Sequence, residues 1–212
     1  MINNIYKQRL EITKLKEEIS NLKKILTEDL QMNQPQEDFT KIYDIPVGSS
    51  AVKGPQDAPI TIVGFLDLEC PYSARFQPII DQLLKTYPDK VRFVAKHFPL
   101  PFHPNARLAA KVVLAAGKQG KYFQMQEAIL KNNRSLSEEK FLKLAKELKL
   151  NIRRFKKDLS TYDTEWDNLI ESDFQLGTSV AVMGTPTYYI NGRKTRARDI
   201  NSLKQEIEQL LK

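Results

Sequence analysis

Residues 60–76 read ITIVGFLDLECPYSARF and contain the strongest structural signal in the sequence. Its first seven residues, 60–66, form an apolar run of strand length, which predicts a buried β-strand. Cys70 follows shortly afterwards, and Pro71 comes next, at a position that the first turn of a helix tolerates. We therefore predict a strand, a short loop that carries Cys70, and a helix that continues to about Thr86.

Cys70 is predicted to be a reactive thiol. A cysteine reacts as its thiolate, and the unpaired N–H groups and the dipole at a helix N-terminus favour an anion there. With Cys70 at the N-cap, the N–H groups of Tyr72 and Ser73 would point toward its sulfur, and the Ser73 hydroxyl could add a hydrogen bond. The alternative is a buried and inert cysteine. The position of Cys70 at a strand-to-helix junction, rather than inside an element, favours the reactive thiol.

A second motif, Gly184-Thr185-Pro186-Thr187, precedes a predicted strand. A proline directly before a strand is typical of a sheet edge. A cis bond between Thr185 and Pro186 would leave the Thr185 backbone able to pair with an extended peptide, whereas a trans bond in an ordinary turn is the general alternative. The candidate substrate-binding residues are therefore Pro71, Tyr72, Thr185 and Pro186.

The rest of the chain alternates between strand and helix patterns. Further strands are predicted at 91–96 and 187–190, and Asn191-Gly192 predicts a tight turn into another short strand. The predicted helices after the first lie at 104–117, 120–131, 137–148, 151–159, 162–176 and 199–211. The expected outline is a βαβ unit and a ββα unit, joined by an all-helical insertion at about 104–176.

These pieces, in this order, resemble the thioredoxin superfamily, and the helical insertion narrows the resemblance to its DsbA-like branch. Further matching stretches are 57–63, 98–100, 117–122 and 184–187. The resemblance covers about residues 41–212. It implies an α/β thioredoxin fold with a helical insertion, a catalytic domain at 60–212, and thiol–disulfide exchange on disulfide-containing or unfolded protein substrates, without a cofactor.

Two positions depart from the family pattern. The family carries Cys-x-x-Cys, but Ser73 stands where the resolving cysteine would be, so Cys70 and Ser73 are the catalytic positions of a monothiol site. Cys70 can still attack a substrate disulfide, and release then needs a reducing thiol from the substrate or from glutathione. Gly64 stands where many members carry a buried acid. Ser73 is either natural or an engineered replacement of cysteine.

Two functional hypotheses follow from this pattern. The first is a thiol:disulfide isomerase or oxidoreductase acting through Cys70. The second is a non-catalytic, peptide-binding holdase on a thioredoxin scaffold, which the missing cysteine and Gly64 favour, because a fold does not by itself establish activity. His97 and His103 have no spacing that ties them to Cys70, and we interpret both as structural or surface residues.

Residues 1–31 form a separate domain in this interpretation, followed by a linker and extension at 32–59. Apolar residues recur in a heptad pattern with a at Ile5, Ile12, Ile19 and Leu26 and d at Leu15 and Leu22. Glu11 with Lys16, and Glu18 with Lys23, are spaced as the g–e′ pairs of a parallel coiled coil. Residues 2–31 are therefore predicted to self-associate as a dimer or trimer. The alternative is an amphipathic helix packed on its own domain.

Composition limits the remaining classes of function. The 212 residues carry a net charge of +7, but the basic residues are mixed with acids, and the run 193–198 is interpreted as solvated surface rather than as a nucleic-acid site. No apolar run approaches the roughly 18 residues of a membrane span. One cysteine and two histidines predict no metal site. Without an apolar leader, the protein is cytosolic or has lost a signal peptide. In the latter case we expect a periplasmic or otherwise extracytoplasmic location.

Overall fold

The computed structural model describes residues 11–23 and 38–212. The chain divides into two compact units, residues 1–37 and 38–212. In the first unit, residues 11–23 form a helix, α1, and the predicted a and d side chains within it are about half exposed: Ile12, Leu15, Ile19 and Leu22. The other predicted heptad positions, at 2–10 and 24–31, lie outside the described residues.

A mixed sheet forms the centre of the second unit. Its strands are β1 (Ala51–Lys53), β2 (Ile60–Leu66), β3 (Val91–His97), β4 (Thr187–Ile190) and β5 (Arg193–Lys194), in the spatial order β1-β3-β2-β4-β5. The neighbours β2 and β3 run parallel, with Ile60 opposite Val91, and the other pairs are antiparallel. The predicted strands are confirmed, and β1 is an additional edge strand.

The helices follow the predicted order. After β2 comes α2 (Pro71–Thr86), and the chain ends with α8 (Ile200–Leu210). The helices of the insertion are α3 (Ala106–Gly117), α4 (Tyr122–Lys131), α5 (Glu138–Glu147), α6 (Ile152–Thr161) and α7 (Asp163–Ser179). The α/β thioredoxin fold with a helical insertion is therefore confirmed.

Alternation along β2 divides the core between the two faces of the sheet. Ile60, Ile62 and Leu66 belong to the larger apolar cluster, which also contains buried residues of α2 to α6 and of α8. Val63 and Phe65 point the other way and pack in a smaller cluster with Val180, directly after α7. Cover on both faces explains why β2 reads as a continuous apolar run.

Residues 38–59 pack on the thioredoxin domain, although the sequence analysis separated them from it. Ile42 bridges to Arg193, the Tyr43 N–H donates to the Gly192 carbonyl at 2.9 Å, and β1 pairs with β3. The second unit therefore begins at residue 38 rather than at residue 60. The polar, proline-containing sequence of residues 38–59 does not predict these contacts, because backbone pairing at a sheet edge requires no particular pattern of side chains.

The Asn191-Gly192 turn between β4 and β5 is confirmed. Both residues have positive φ, 46° and 80°, as a tight hairpin turn requires. A Cβ atom at Gly192 would also collide with the Tyr43 carbonyl oxygen. The turn therefore sets the geometry of the β4–β5 hairpin, whose first strand begins directly after Pro186.

Candidate active site

Cys70 lies at the N-cap of α2, with Pro71 in the first helical turn, as predicted. Its backbone is extended, at φ −70° and ψ 123°, and the residue is buried. The thiol donates a hydrogen bond to the Thr185 carbonyl, with Sγ 3.2 Å from the oxygen. The Thr185–Pro186 peptide bond is cis. Two motifs 115 residues apart in the sequence thus meet at one point.

The contacts of the sulfur differ from the expected ones. The Cys70 side chain makes no capping hydrogen bond with the first turn of α2, because its thiol is directed to Thr185. The Ser73 hydroxyl is buried and has no hydrogen-bond partner among the described residues, so the expected bond from Ser73 to Cys70 was wrong. Ser73 shares the buried face of the helix with Phe76 and Gln77, which turns its side chain inward.

A groove lies beside the Cys70 loop. It has a volume of about 730 Å³ and is bounded by α2, by the cis-proline loop and by the start of α8. Its lining residues include Tyr72, Phe76, Ile79, Pro186, Tyr188 and Ile200. The Tyr72 side chain is 66% exposed, as the sequence analysis expected for an open site. Three of the predicted substrate-binding residues, Tyr72, Thr185 and Pro186, therefore line one surface.

Asp67 holds the Cys70 loop in place. One carboxylate oxygen accepts hydrogen bonds from the N–H groups of Glu69, at 2.8 Å, and of Cys70, at 3.2 Å. The other accepts from the Leu100 N–H at 2.7 Å and lies 2.8 Å from His103 Nδ1. Because the Asp67 side chain is fully buried, these bonds satisfy an otherwise costly carboxylate and clamp the loop to the chain after β3.

His103 also belongs to this arrangement, which its position in the sequence did not predict. Its distance along the chain gave no local signal, since 36 residues separate it from Asp67. The topology could have supplied one, because β2 and β3 are parallel neighbours and the segments after their carboxyl ends meet at the same sheet edge. His103 thus contacts the Asp67 carboxylate, which also accepts a hydrogen bond from the Cys70 N–H.

Glu69 anchors the loop on its other side. Its carboxylate accepts hydrogen bonds from the Asn105 N–H at 2.6 Å and from the Asn105 side-chain amide at 3.0 Å. Asn105 is the residue before α3, so this contact joins the Cys70 loop to the helical insertion. Asp67 and Glu69, the two acids that precede Cys70, thus hold the loop in place. Neither occupies the position of the acid that many family members carry where this chain has Gly64.

Comparison with known families agrees with this geometry. The family model Thioredoxin_4, described as Thioredoxin, matches residues 47–209. This chain is a member of the Thioredoxin_4 family. Over 144 residues it is 36% identical to "Na(+)/H(+) antiporter NhaA 3" of Salinispora tropica, and over 161 residues it is 31% identical to "Na(+)/H(+) antiporter NhaA" of Herminiimonas arsenicoxydans. These matches cover 68% and 75% of this chain but only 22% and 25% of those proteins.

The fold of this Thioredoxin_4 member is similar to solved structures of DsbA-like proteins. It is similar to the thiol-disulfide exchange protein alpha-DsbA2 from Wolbachia pipientis, with a TM-score of 0.72, 23% identity, and coverage of 77% of this chain and 88% of that one. It is also similar to oxidised BdbD from Bacillus subtilis, with a TM-score of 0.69, 24% identity, and coverage of 80% and 97%. At these identities the likeness establishes the fold.

Gly64 has a packing reason in this member of the family. A Cβ atom there would lie 2.7 Å from Tyr188 Cε1 and 2.8 Å from Phe93 Cε2. The Tyr188 ring, which stacks on Phe76 with centroids 4.6 Å apart, therefore occupies the space that a side chain at 64 would need. The Tyr188 hydroxyl is buried without a hydrogen-bond partner among the described residues, and burial raises the pKa of Tyr188, which keeps the hydroxyl neutral.

A buried polar network connects β3 with two helices of the insertion. Lys96 Nζ is 3.1 Å from Asp173 Oδ1, and the His97 N–H donates to Asp173 Oδ2 at 3.0 Å. His97 Nε2 is 3.2 Å from the Tyr122 hydroxyl. Burial lowers the pKa of His97 to about 4, although the Asp173 carboxylate opposes this shift. The network joins β3 to α4 and α7, so His97 lies inside the fold rather than at its surface.

The basic run 193–198 is only partly the solvated surface that was expected. Lys194 is buried, and its Nζ donates to the Ala181 carbonyl at 2.9 Å. The Arg196 guanidinium lies 3.9 Å from the centre of the Phe39 ring. Within 11–23 and 38–212, no set of three or more His, Cys, Asp or Glu residues is arranged to hold a metal ion. The described part of the chain also contains no helix that is long and apolar enough to cross a membrane.

Proposed function

We propose that this chain catalyses thiol–disulfide exchange on polypeptide substrates, with Cys70 as its single nucleophile. The observation that carries the proposal is the meeting of Cys70, at the start of α2, with the cis Thr185–Pro186 loop beside an open groove. This arrangement places a thiol at a helix N-terminus. It also places the backbone of the Thr185–Pro186 loop beside a groove that a substrate can enter. The exchange proteins to which the fold is similar support the same chemistry.

The Thr185 carbonyl couples ionisation of Cys70 to substrate binding. In the thiol form, the S–H donates to this carbonyl. A thiolate has no proton to donate, so ionisation releases the carbonyl as an acceptor. An extended substrate can then donate a backbone N–H to Thr185 while its disulfide approaches the Cys70 sulfur.

The reaction begins when the Cys70 thiolate attacks one sulfur of a substrate disulfide. A Cys70–substrate disulfide forms, the substrate S–S bond breaks, and the departing thiolate takes up a proton. Ser73 has no thiol with which to expel the substrate from this intermediate. A second thiol, on the substrate or on a small reducing molecule, attacks the mixed disulfide and restores Cys70. This cycle suits isomerisation and monothiol exchange rather than net oxidation of dithiols.

Trapping of the intermediate tests this function. We expect the unmodified chain to form an adduct with a disulfide-bonded client protein, visible by mass spectrometry under non-reducing conditions, and Cys70→Ala to form none. Ser73→Cys should release the client and accumulate an internal disulfide. If the unmodified chain forms no adduct but suppresses aggregation of the client, the non-catalytic holdase is the better description.

We also propose that α1 mediates self-association. The half-exposed stripe of Ile12, Leu15, Ile19 and Leu22, with Glu18 and Lys23 beside it, fits a parallel dimer or trimer. Light scattering of the full chain should give a multiple of the 24.5 kDa mass. Leu15→Glu should reduce this to one chain, whereas Glu17→Lys, on the outer face, should not. A monomer at every concentration would remove this proposal.

Such an oligomer would place several Cys70 thiols at high local concentration around one client. Exchange on disulfides also requires a compartment in which substrate disulfides persist. We therefore place the reaction outside the cytoplasm, in the periplasm or an equivalent compartment. The periplasmic thioredoxin-like protein of Salmonella enterica, which has the same fold, supports this location. Recovery of the protein in a periplasmic fraction is the measurement that checks it.

A further inference from the structure

The groove beside Cys70 has a length and a floor that suit a segment of polypeptide. Its α2 wall runs from Tyr72 to Gln82, which is about 15 Å at 1.5 Å per residue. An extended chain covers that distance in about four or five residues. The floor is apolar and aromatic along this length, with Phe76, Ile79 and Pro186. A segment bound there would bury aliphatic or aromatic side chains.

Two arginines line the same groove, Arg75 on α2 and Arg198 just before α8. Both are exposed, and neither forms an ion pair within the described ranges 11–23 and 38–212. Elsewhere arginines do meet carboxylates: Arg107 is 2.6 Å from Asp167. The groove therefore combines an apolar floor with two guanidinium groups that lack an acidic counterpart.

The one acid on the groove lining is engaged with the helix that follows it. One Asp199 carboxylate oxygen accepts hydrogen bonds from the N–H groups of Asn201, at 2.9 Å, and of Ser202, at 3.0 Å, and the other accepts from the Ser202 hydroxyl. This carboxylate caps α8, and it forms no ion pair with Arg198 among the described residues.

The Arg198 guanidinium is already oriented by the backbone. Its Nη1 donates to the carbonyls of Thr195, at 3.1 Å, and of Ala197, at 3.0 Å. A guanidinium presents five N–H donors in a fixed fork that matches a carboxylate, so the remaining edge of a held Arg198 is suited to an anionic partner.

We propose that this groove selects extended client segments that carry an aromatic or aliphatic residue and a carboxylate near the reacting cysteine, with Arg75 and Arg198 binding the carboxylate. The inference rests on the proposed function and names its substrate class. The occupant is a segment of polypeptide rather than a small thiol, because the groove spans several residues and its floor is apolar. The two arginines are specificity-determining residues of the exchange reaction, and the chemistry itself stays with Cys70.

The reaction arm of the test uses three short peptides that differ at one position, Glu, Gln or Lys, beside a Phe. Each carries its cysteine as a 2-pyridyl disulfide. The Cys70 thiolate forms a disulfide with the peptide sulfur, the pyridyl S–S bond breaks, and the released thiolate gains a proton as pyridinethione, whose absorbance gives the rate. The binding arm uses the same peptides with Ser in place of Cys and a fluorescent label, and measures Kd by anisotropy at low and high salt.

We expect the Glu peptide to bind and react about 5-fold better than the Gln peptide, and the Lys peptide to be poorer still, with the differences shrinking in high salt. Arg75→Gln and Arg198→Gln should each reduce the Glu preference, and the double variant should abolish it. Arg153→Gln, an exposed arginine on α6 with the same change of charge, should keep it.

The two arms separate failure of this inference from failure of the proposed function. Equal Kd values for the Glu and Gln peptides would overturn the inference, and so would an equal loss in Arg153→Gln, which would indicate net charge alone. If glutathione binding depended on the two arginines and peptide binding did not, the ligand of the groove would be a small thiol, and the inference would be wrong. If binding shows the preference and no pyridinethione is released, the groove is specific and the exchange function fails.

Discussion

His97 makes the stability of this fold sensitive to mild acid. Burial lowers its pKa from an ordinary value of 6.5 to about 4 in the folded chain. As the pH falls below 6.5, the unfolded chain takes up a proton at this residue while the folded chain does not, so unfolding is favoured. The stabilisation is complete above pH 6.5 and is lost between pH 6.5 and pH 4. His97→Gln removes the titrating group and keeps a side chain able to bond to Tyr122.

The size of the effect follows from the two pKa values. Each unit of difference corresponds to about 1.4 kcal/mol, so the full loss below pH 4 is about 3 kcal/mol. Between pH 7 and pH 5 the unfolded chain becomes mostly protonated at this site and the folded chain stays neutral, which gives a loss of about 2 kcal/mol. This is a large part of the 5 to 15 kcal/mol, roughly, that stabilises an ordinary domain.

Urea unfolding at pH 7 and pH 5 measures this difference. The free energy of unfolding of the unmodified chain should fall by about 2 kcal/mol more than that of His97→Gln over this interval. His103→Gln, which removes the other histidine, should retain the His97 contribution. Parallel pH dependence in the unmodified chain and in His97→Gln would show that His97 is not the acid-sensitive group.

Three further predictions test the packing and the clamp. Gly64→Ala should lower the free energy of unfolding in urea by about 1–3 kcal/mol, because its methyl group meets aromatic rings. Gly184→Ala, where nothing lies within 4 Å, should cost far less, and similar losses would contradict the contact. Asp173→Ala should cost about 3–5 kcal/mol in thermal unfolding by stranding the Lys96 charge, and a near-neutral result would show that water solvates that charge. Asp67→Asn should slow formation of the mixed disulfide about 10-fold with the helix content unchanged, since its amide presents a donor to backbone N–H groups. An unaltered rate would show that Asp67 has no role in forming the mixed disulfide.

Much of the fold could be predicted because its elements are locally encoded. The apolar run at 60–66, the helical periodicity of the insertion and the Asn191-Gly192 turn each carry their own signal. The edge strand Ala51–Lys53 could not be found this way. It has three residues, and its place depends on backbone pairing with β3 rather than on its own pattern.

The site was less predictable than the fold for a related reason. Cys70 and Pro186 were visible because each falls at a boundary between elements. The Asp67–His103 contact was not, because it arises where two parallel strands end side by side. The direction of the Ser73 side chain depends on which face of α2 meets the core. That choice is made by the whole helix and not by the residues around Ser73.

The two departures from the family pattern act on different steps of one reaction. Ser73 stands in place of the thiol that would expel a bound substrate, and the Tyr188 ring fills the space beside Gly64 that a buried acid would need. The bond between Cys70 and Thr185 and the groove beside it are present with both changes in place. In the proposed reaction, attack on a substrate disulfide therefore uses this geometry, whereas release depends on a thiol from outside. We expect such a site to hold a bound client until another thiol arrives, which would favour exchange among the client's own cysteines over its net oxidation.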